Sequence, residues 1–165
     1  MTAGKRQQLQ PSELRDFIKA VCNWGGYSGI AGGVIKNNDG TKLRDAFRSA
    51  HSHANAGDDL SAIKSLLELN GLAVSFASKH LKFLAPENAV VLDSIISKRL
   101  GYELTPNGYQ AFLNDCRRIL ERAKACGGRE GWRVSDIEMA IFEKLIAGVT
   151  KIKGRADDSE SIAHK

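Results

Sequence analysis

Apolar residues recur every three to four positions along most of the chain, which is the spacing that gathers them on one face of an α-helix. The first such segment follows Pro11-Ser12 and carries Leu14, Phe17, Ile18 and Val21. The longest opens at Thr105-Pro106. Seven helices are expected, beginning near Pro11, Thr41, Asp58, Gly71, Ser94, Thr105 and Ser135.

The segments between these helices contain the glycines and prolines that end helices. Residues 25–40 are expected to form a long glycine-rich connection, without the spacing of a phosphate-binding loop. The run Val90-Val91-Leu92 is too short to predict a strand. The sequence therefore predicts an all-α fold with one domain over residues 11–149, and flexible tails over 1–10 and 150–165. The last helix is expected to start with a capping box from Ser135 to Glu138 and to end at Gly148.

Composition narrows the class of protein only moderately. The 165 residues carry a net charge of +5, which permits nucleic acid as a partner without establishing one. The three cysteines lack metal-ligand spacing, so neither a metal site nor disulfides are expected, and no cofactor is predicted. No apolar run is long enough to span a bilayer and the N-terminus is polar, so we expect a cytoplasmic monomer with no membrane partner.

Candidate chemistry is concentrated between Leu69 and Ser94. Asn70-Gly71 predicts a tight turn between two helices, and the second helix carries Lys79 before it stops at Pro86. Asp93 follows at the start of another helix. A turn that feeds a helix N-terminus can bind phosphate through free backbone N–H groups. A buried lysine amine can act as a nucleophile, and a fixed carboxylate can stabilise positive charge.

These residues resemble the helix-hairpin-helix DNA glycosylases. Residues 69–73, Leu-Asn-Gly-Leu-Ala, resemble that family's hairpin, and Asp93 lies at the spacing of its essential aspartate. The FASKHLKFLAPE…VLDS run and the later WRVSDIE segment are most similar to bacterial relatives of the 8-oxoguanine DNA glycosylases. The resemblance covers about residues 60–145. It implies a helix-hairpin-helix glycosylase-like bundle that acts on double-stranded DNA.

The sequence departs from the family pattern at two positions. Ala73 replaces the second hairpin glycine, and Ser75 stands where members with lyase activity carry their lysine. Lys79 lies one helical turn further on, on the same face, within reach of the same sugar carbon if its stem extends. If it is not the nucleophile, Asp93 could activate a water, which would give a glycosylase without lyase activity.

Each candidate residue also has an ordinary structural interpretation. Lys79 shares a helix face with Ser75, Ser78 and Lys82, which is typical of a solvated surface. Asp93 occupies the position of a simple N-cap. The candidates for binding the DNA backbone are Asn70, Gly71, Ala73 and Lys82. Those for the base pocket are Ser75, Trp132, Phe142 and Trp24 (with Tyr27). Asn37 and Asn38 are the candidates for insertion into the duplex. The aromatic residues could equally be core, Asn37-Asn38 a plain turn, and Lys82 ordinary surface charge.

Three functions compete. The first is a DNA glycosylase, with or without abasic-site lyase activity, whose substrate is either an oxidised purine in repair or a hypermodified base of phage DNA in defence. The second is a non-catalytic helix-hairpin-helix protein that binds DNA. The third is an interaction protein unrelated to DNA, which would show no salt-dependent DNA binding.

Overall fold

The computed structural model describes the backbone of residues 11–160 and the side chains of residues 12–147. The regular secondary structure of the described residues is all α-helical, as predicted, with eight helices rather than seven and no strand. The predicted tail over residues 1–10 lies outside the described residues, as do residues 161–165. The helices are α1 (Pro11–Trp24), α2 (Gly29–Asn37), α3 (Gly40–Asn55), α4 (Asp59–Leu67), α5 (Val74–Leu84), α6 (Ser94–Leu100), α7 (Pro106–Ala125) and α8 (Val134–Glu160).

Helix α2 is the element that the sequence analysis missed. It lies inside residues 25–40, where the glycines predicted a loop, and it contains three glycines. Each glycine costs a helix up to about 1 kcal/mol relative to alanine. The apolar residues between them nevertheless fall at helical spacing, and Ala31 and Val34 are buried. Packing of this apolar face therefore outweighs the weak intrinsic propensity of the segment.

Two predicted helix starts are also corrected. Asp39, not Thr41, caps α3, and its carboxylate accepts hydrogen bonds from the N–H groups of Thr41 and Lys42. Helix α8 starts without the predicted Ser135–Glu138 box, because Asp136 accepts the Arg133 N–H at 2.8 Å instead. The same helix runs through Gly148, where its end was predicted, to Glu160.

Other boundaries agree with the prediction. The Thr105 hydroxyl caps α7 by accepting the Gly108 N–H at 3.0 Å. Gly101 ends α6 with a φ of 81°, a left-handed conformation that suits glycine.

Helix α5 lies at the centre of the fold and packs against α1, α3, α4 and α7. Eight of its eleven residues are buried, including polar ones. Helix α4 is also joined to α7, because Asp59 accepts two hydrogen bonds of 2.5 and 2.8 Å from Arg117. None of the described helices is both long enough and apolar enough to cross a membrane. The central position of α5 holds Lys79 on a well-packed element.

Candidate functional site

The hairpin between α4 and α5 is braced by helix α2. The side-chain nitrogen of Asn38 donates to the carbonyls of Val34 and Asn70, at 2.8 and 3.0 Å. Its Oδ1 accepts the Asn70 N–H at 3.0 Å. Gly71 follows with a φ of 97°, so the turn requires a glycine there. Asn38 thus fixes the turn of residues 68–73 from outside.

This bracing corrects the prediction that Asn38 inserts into a duplex. Asn38 is buried, and its amide is committed to the protein's own backbone. Asn37 keeps an exposed side chain, while its carbonyl accepts a hydrogen bond from the Asn70 side chain at 3.3 Å. Of the predicted pair, only Asn37 has a side chain directed to solvent beside the hairpin.

Some backbone N–H groups of the hairpin are free to donate a hydrogen bond to a ligand, although not at every position predicted to contact the DNA backbone. The Asn70 N–H is occupied by Asn38, and the Leu72 N–H bonds the Leu69 carbonyl. The N–H groups of Gly71 and Ala73 have no acceptor among the described residues. Ala73 occupies the N-cap position of α5, but its side chain forms no capping hydrogen bond. Gly71, Ala73 and the first turn of α5 are therefore the part of the hairpin whose backbone N–H groups could bind an anion.

A buried serine joins α5 to the segment that leads to Asp93. The Ser78 hydroxyl accepts the Leu92 N–H at 3.1 Å and lies 2.9 Å from the Ser75 carbonyl. Ser78 precedes Lys79, and Leu92 precedes Asp93. This hydrogen bond therefore joins α5, which carries the amine of Lys79, to the segment that leads to the carboxylate of Asp93.

Asp93 caps α6 with one carboxylate oxygen and leaves the other oxygen without a hydrogen-bond donor among the described residues. Its Oδ1 accepts the N–H groups of Ile95 and Ile96, both at 3.0 Å. Its Oδ2 accepts no hydrogen bond from the described residues, and the side chain is only half-buried. The two predicted roles of Asp93 are therefore compatible, because the cap fixes one oxygen and leaves the other accessible.

Lys79 does not lie on a solvated helix face. Only 8% of the residue is exposed, and its Nζ lies 4.4 Å from the centre of the Phe76 ring. Burial lowers the pKa of Lys79, while the charges of Asp93, Cys22 and Glu138 oppose that shift. Among the described residues it forms no ion pair within 4 Å. The amine is thus close enough to Asp93 to feel its charge, but is not bound to it.

Lys82 has a different environment, which corrects its predicted contact with phosphate. It is 7% exposed, and its Nζ lies 2.6 Å from a carboxylate oxygen of Glu138 in α8. Burial raises the pKa of Glu138, whereas Lys82 and the nearby Val91 N–H oppose the rise. The amine of Lys82 is therefore engaged in an internal ion pair rather than turned toward a ligand.

The predicted base-pocket residues separate into exposed and buried groups. Trp24 is 56% exposed, Tyr27 is 68% exposed and Trp132 is 39% exposed, so these three are not core residues. Phe142 is half-buried against the core. Ser75 is half-buried in the first turn of α5.

Of the predicted base-pocket residues, Trp24 and Tyr27 contact aromatic rings of α5, the helix that carries Lys79. The Trp24 ring meets Phe83 edge-on at 5.0 Å, and the Tyr27 ring meets Phe76 edge-on at 6.1 Å. A Cβ on Gly25 would lie 2.9 Å from the Phe76 ring and 3.1 Å from Cδ of Lys79. The turn between α1 and α2 therefore fits against Lys79 only because residue 25 is glycine.

Sequence patterns gave no indication of several residues that build this site. The sequence predicts Ser78 on a solvated helix face, Glu138 in a helix cap and Gly25 in a loop. All three act through contacts between segments far apart in the chain, which spacing within one helix does not reveal. The neighbouring His80 is fully buried, with Nδ1 2.6 Å from the Phe76 carbonyl, and burial lowers its pKa.

A surface groove on α7, with a volume of about 760 Å³, includes none of these residues; it is lined by Tyr102, Asp115, Arg118, Ile119, Glu121, Arg122 and Ala125.

No protein-family model matches the chain, and neither a curated protein nor a solved structure matches it. The resemblance to helix-hairpin-helix glycosylases accordingly stays a prediction.

Proposed function

We propose that this protein is a DNA glycosylase in which Lys79 and Asp93 act at one deoxyribose. The observation that carries the proposal is the hydrogen bond from Leu92 to Ser78, which ties together the two segments that hold these groups. A buried amine with a lowered pKa and a fixed carboxylate with a spare oxygen are the two groups that such a reaction requires.

In the proposed reaction, Asp93 stabilises the positive charge that develops on the sugar as the glycosidic bond breaks. The neutral amine of Lys79 attacks C1′, so that a C–N bond to the lysine forms while the bond to the base breaks. The base leaves with the bonding electron pair and takes up a proton. Loss of a proton from the lysine nitrogen and opening of the sugar ring at O4′ then give a Schiff base between Lys79 and C1′.

DNA would be held at the hairpin. The free N–H groups of Gly71 and Ala73 and the uncapped N-terminus of α5 suit a backbone phosphate of double-stranded DNA. Lys82 does not bind the DNA backbone in this proposal, because its amine is paired with the Glu138 carboxylate. Asn70 contributes by holding the turn in place rather than by donating its N–H.

The substrate base is proposed as either an oxidised purine, in repair, or a hypermodified base of phage DNA, in defence. Comparing excision from oxidatively damaged DNA with excision from phage DNA that carries modified cytosines separates these two. The competing function is a non-catalytic helix-hairpin-helix protein, for which the hairpin donors would suffice. That alternative predicts that Asp93→Asn leaves every measurable function intact.

The experiment that tests the proposal is borohydride trapping on duplex DNA with an abasic site. Wild type is expected to form a covalent adduct and Lys79→Met is expected to form none, while the exposed-lysine control Lys64→Ala traps normally. Circular dichroism confirms that each variant is folded. An adduct of undiminished yield in folded Lys79→Met would refute Lys79 as the nucleophile and indicate that another amine attacks the sugar. Base excision by a wild-type protein that forms no adduct would instead indicate the water-activating route through Asp93.

A further inference from the structure

Helix α8 places a buried acidic side chain, that of Glu138, beside the candidate site. Only 3% of the residue is exposed. Its carboxylate lies 2.6 Å from Nζ of Lys82 in α5, and the N–H of Val91 lies near the same carboxylate. The helix itself packs against α6 and α7. Glu138 therefore extends the contacts of α8 to α5 and to the residues that precede Asp93.

The two segments that meet at Glu138 are those that carry the proposed reacting groups. Lys82 lies about one helical turn after Lys79 on α5. Val91 lies two residues before Asp93. A change in the position of Glu138 would therefore be felt by both the amine and the carboxylate.

A second contact holds the residues before Asp93 from the other side. The Ser78 hydroxyl of α5 accepts the Leu92 N–H at 3.1 Å. Leu92 directly follows Val91, whose N–H lies near Glu138. Two consecutive residues of this short segment are thus held by side chains from two different helices.

A gain in stability does not account for burying this ion pair. Taking an ammonium and a carboxylate out of water costs free energy, and apolar side chains of similar volume are often as stabilising. Burial lowers the pKa of Lys79, and the charge of Glu138 is among those that oppose this shift. Burial raises the pKa of Glu138, and the charge of Asp93 adds to that rise. Glu138 is therefore electrostatically coupled to both proposed reacting groups.

We propose that Glu138 is a positioning residue for the sugar chemistry, because its carboxylate holds α5 and the residues before Asp93 at a fixed separation. This inference rests on the proposed function, since it assumes that Lys79 and Asp93 act at one deoxyribose. Glu138 touches neither the sugar nor the base in this arrangement. It determines where the amine and the carboxylate meet the sugar.

The test measures the rate of trapping with cyanoborohydride on abasic duplex DNA over a range of pH. Glu138→Gln is expected to lower the maximal rate roughly 10- to 100-fold, because misplacing a reacting group by about 1 Å can cost 100-fold. Attack requires the neutral amine of Lys79, so the rate rises with pH through its pKa. Removing the charge of Glu138 should move the midpoint of that rise to lower pH. A residue that only stabilised the fold would leave the midpoint unchanged.

The double variant Lys82→Met/Glu138→Met separates positioning from stability. It replaces the ion pair with apolar side chains of similar length and is expected to resist urea about as well as wild type. It should still trap slowly, because no carboxylate remains beside the Val91 N–H. Glu143→Gln is the matched control, since Glu143 is exposed on the same helix and should be dispensable for trapping.

Two results would overturn the inference. One is a folded Glu138→Gln protein that keeps the wild-type rate and midpoint. The other is recovery of the wild-type rate in a stable double variant. In both cases trapping by the wild type would leave the proposed function standing. A wild-type protein that forms no adduct would refute the proposed function itself, and the positioning role would fail with it.

Discussion

Lys79 and Lys82 lie on one helix and are almost equally buried, yet their surroundings differ in kind. Lys82 meets Glu138 at 2.6 Å, whereas Lys79 faces an aromatic ring and feels Asp93 only at a distance. A paired buried cation fixes the position of α8, while an unpaired one costs stability. Burial by itself therefore does not identify a reactive lysine, and the partner decides whether the amine is available.

The largest difference between the two lysines is expected in stability. Lys82→Met leaves Glu138 buried without its partner and should lower the free energy of unfolding by about 3–5 kcal/mol. Lys79→Met removes an unpaired charge and should change it by less than about 1 kcal/mol, or raise it. Urea denaturation of the two variants measures both values. A larger loss for Lys79→Met than for Lys82→Met would show that the assignment of partners is reversed.

A smaller effect is expected where the two regions are joined. Ser78→Ala leaves the buried Leu92 N–H without an acceptor, which should cost about 1–3 kcal/mol in urea denaturation. The variant should also lower the yield of borohydride trapping, because Asp93 is no longer held against α5. The exposed Ser94→Ala is the matched control. Full trapping by Ser78→Ala would mean that this hydrogen bond does not position the site.

The brace on the hairpin is expected to have a comparable or weaker effect on stability, of about 1–2 kcal/mol for Asn38→Ala. Affinity for duplex DNA should fall with it, because the Gly71 turn loses its support. The neighbouring Asn37→Ala is the control, since its side chain is exposed. If DNA binding falls for Asn37→Ala and not for Asn38→Ala, the side chain of Asn37 contacts DNA and the brace is unimportant.

The smallest expected effect is a dependence of stability on pH. The folded-state pKa of Lys79 lies below its unfolded value, so the unfolded chain binds more protons between these two pKa values. The contribution of Lys79 to stability therefore rises as pH increases from the folded pKa toward the unfolded one. Urea denaturation from pH 7 to 10 should show a component of this sign that is absent from Lys79→Met. A component of the opposite sign would indicate that Lys79 is stabilised as a cation.

Much of the helical architecture could be predicted from the sequence because it depends on local patterns. The apolar spacing of α7 and its Thr105-Pro106 start are examples, as is the end of α6 at Gly101. Helix α2 could not be predicted, because its glycines oppose a helix and only tertiary packing of Ala31 and Val34 favours it. The candidate site likewise contains some features that local sequence rules predict and others that depend on tertiary contacts. The positions of Gly71 and Asp93 follow from local rules, whereas the burial of Lys79 and the Glu138 partner of Lys82 arise from contacts across the fold.

If the amine of Lys79 attacks the sugar, the lysine in the trapped adduct can be located directly. Wild-type protein is reduced with borohydride on abasic duplex DNA, digested, and analysed by peptide mass spectrometry. We expect a sugar adduct on the Nζ of Lys79. An adduct on another lysine or on the N-terminal amine, with Lys79 unmodified, would contradict it.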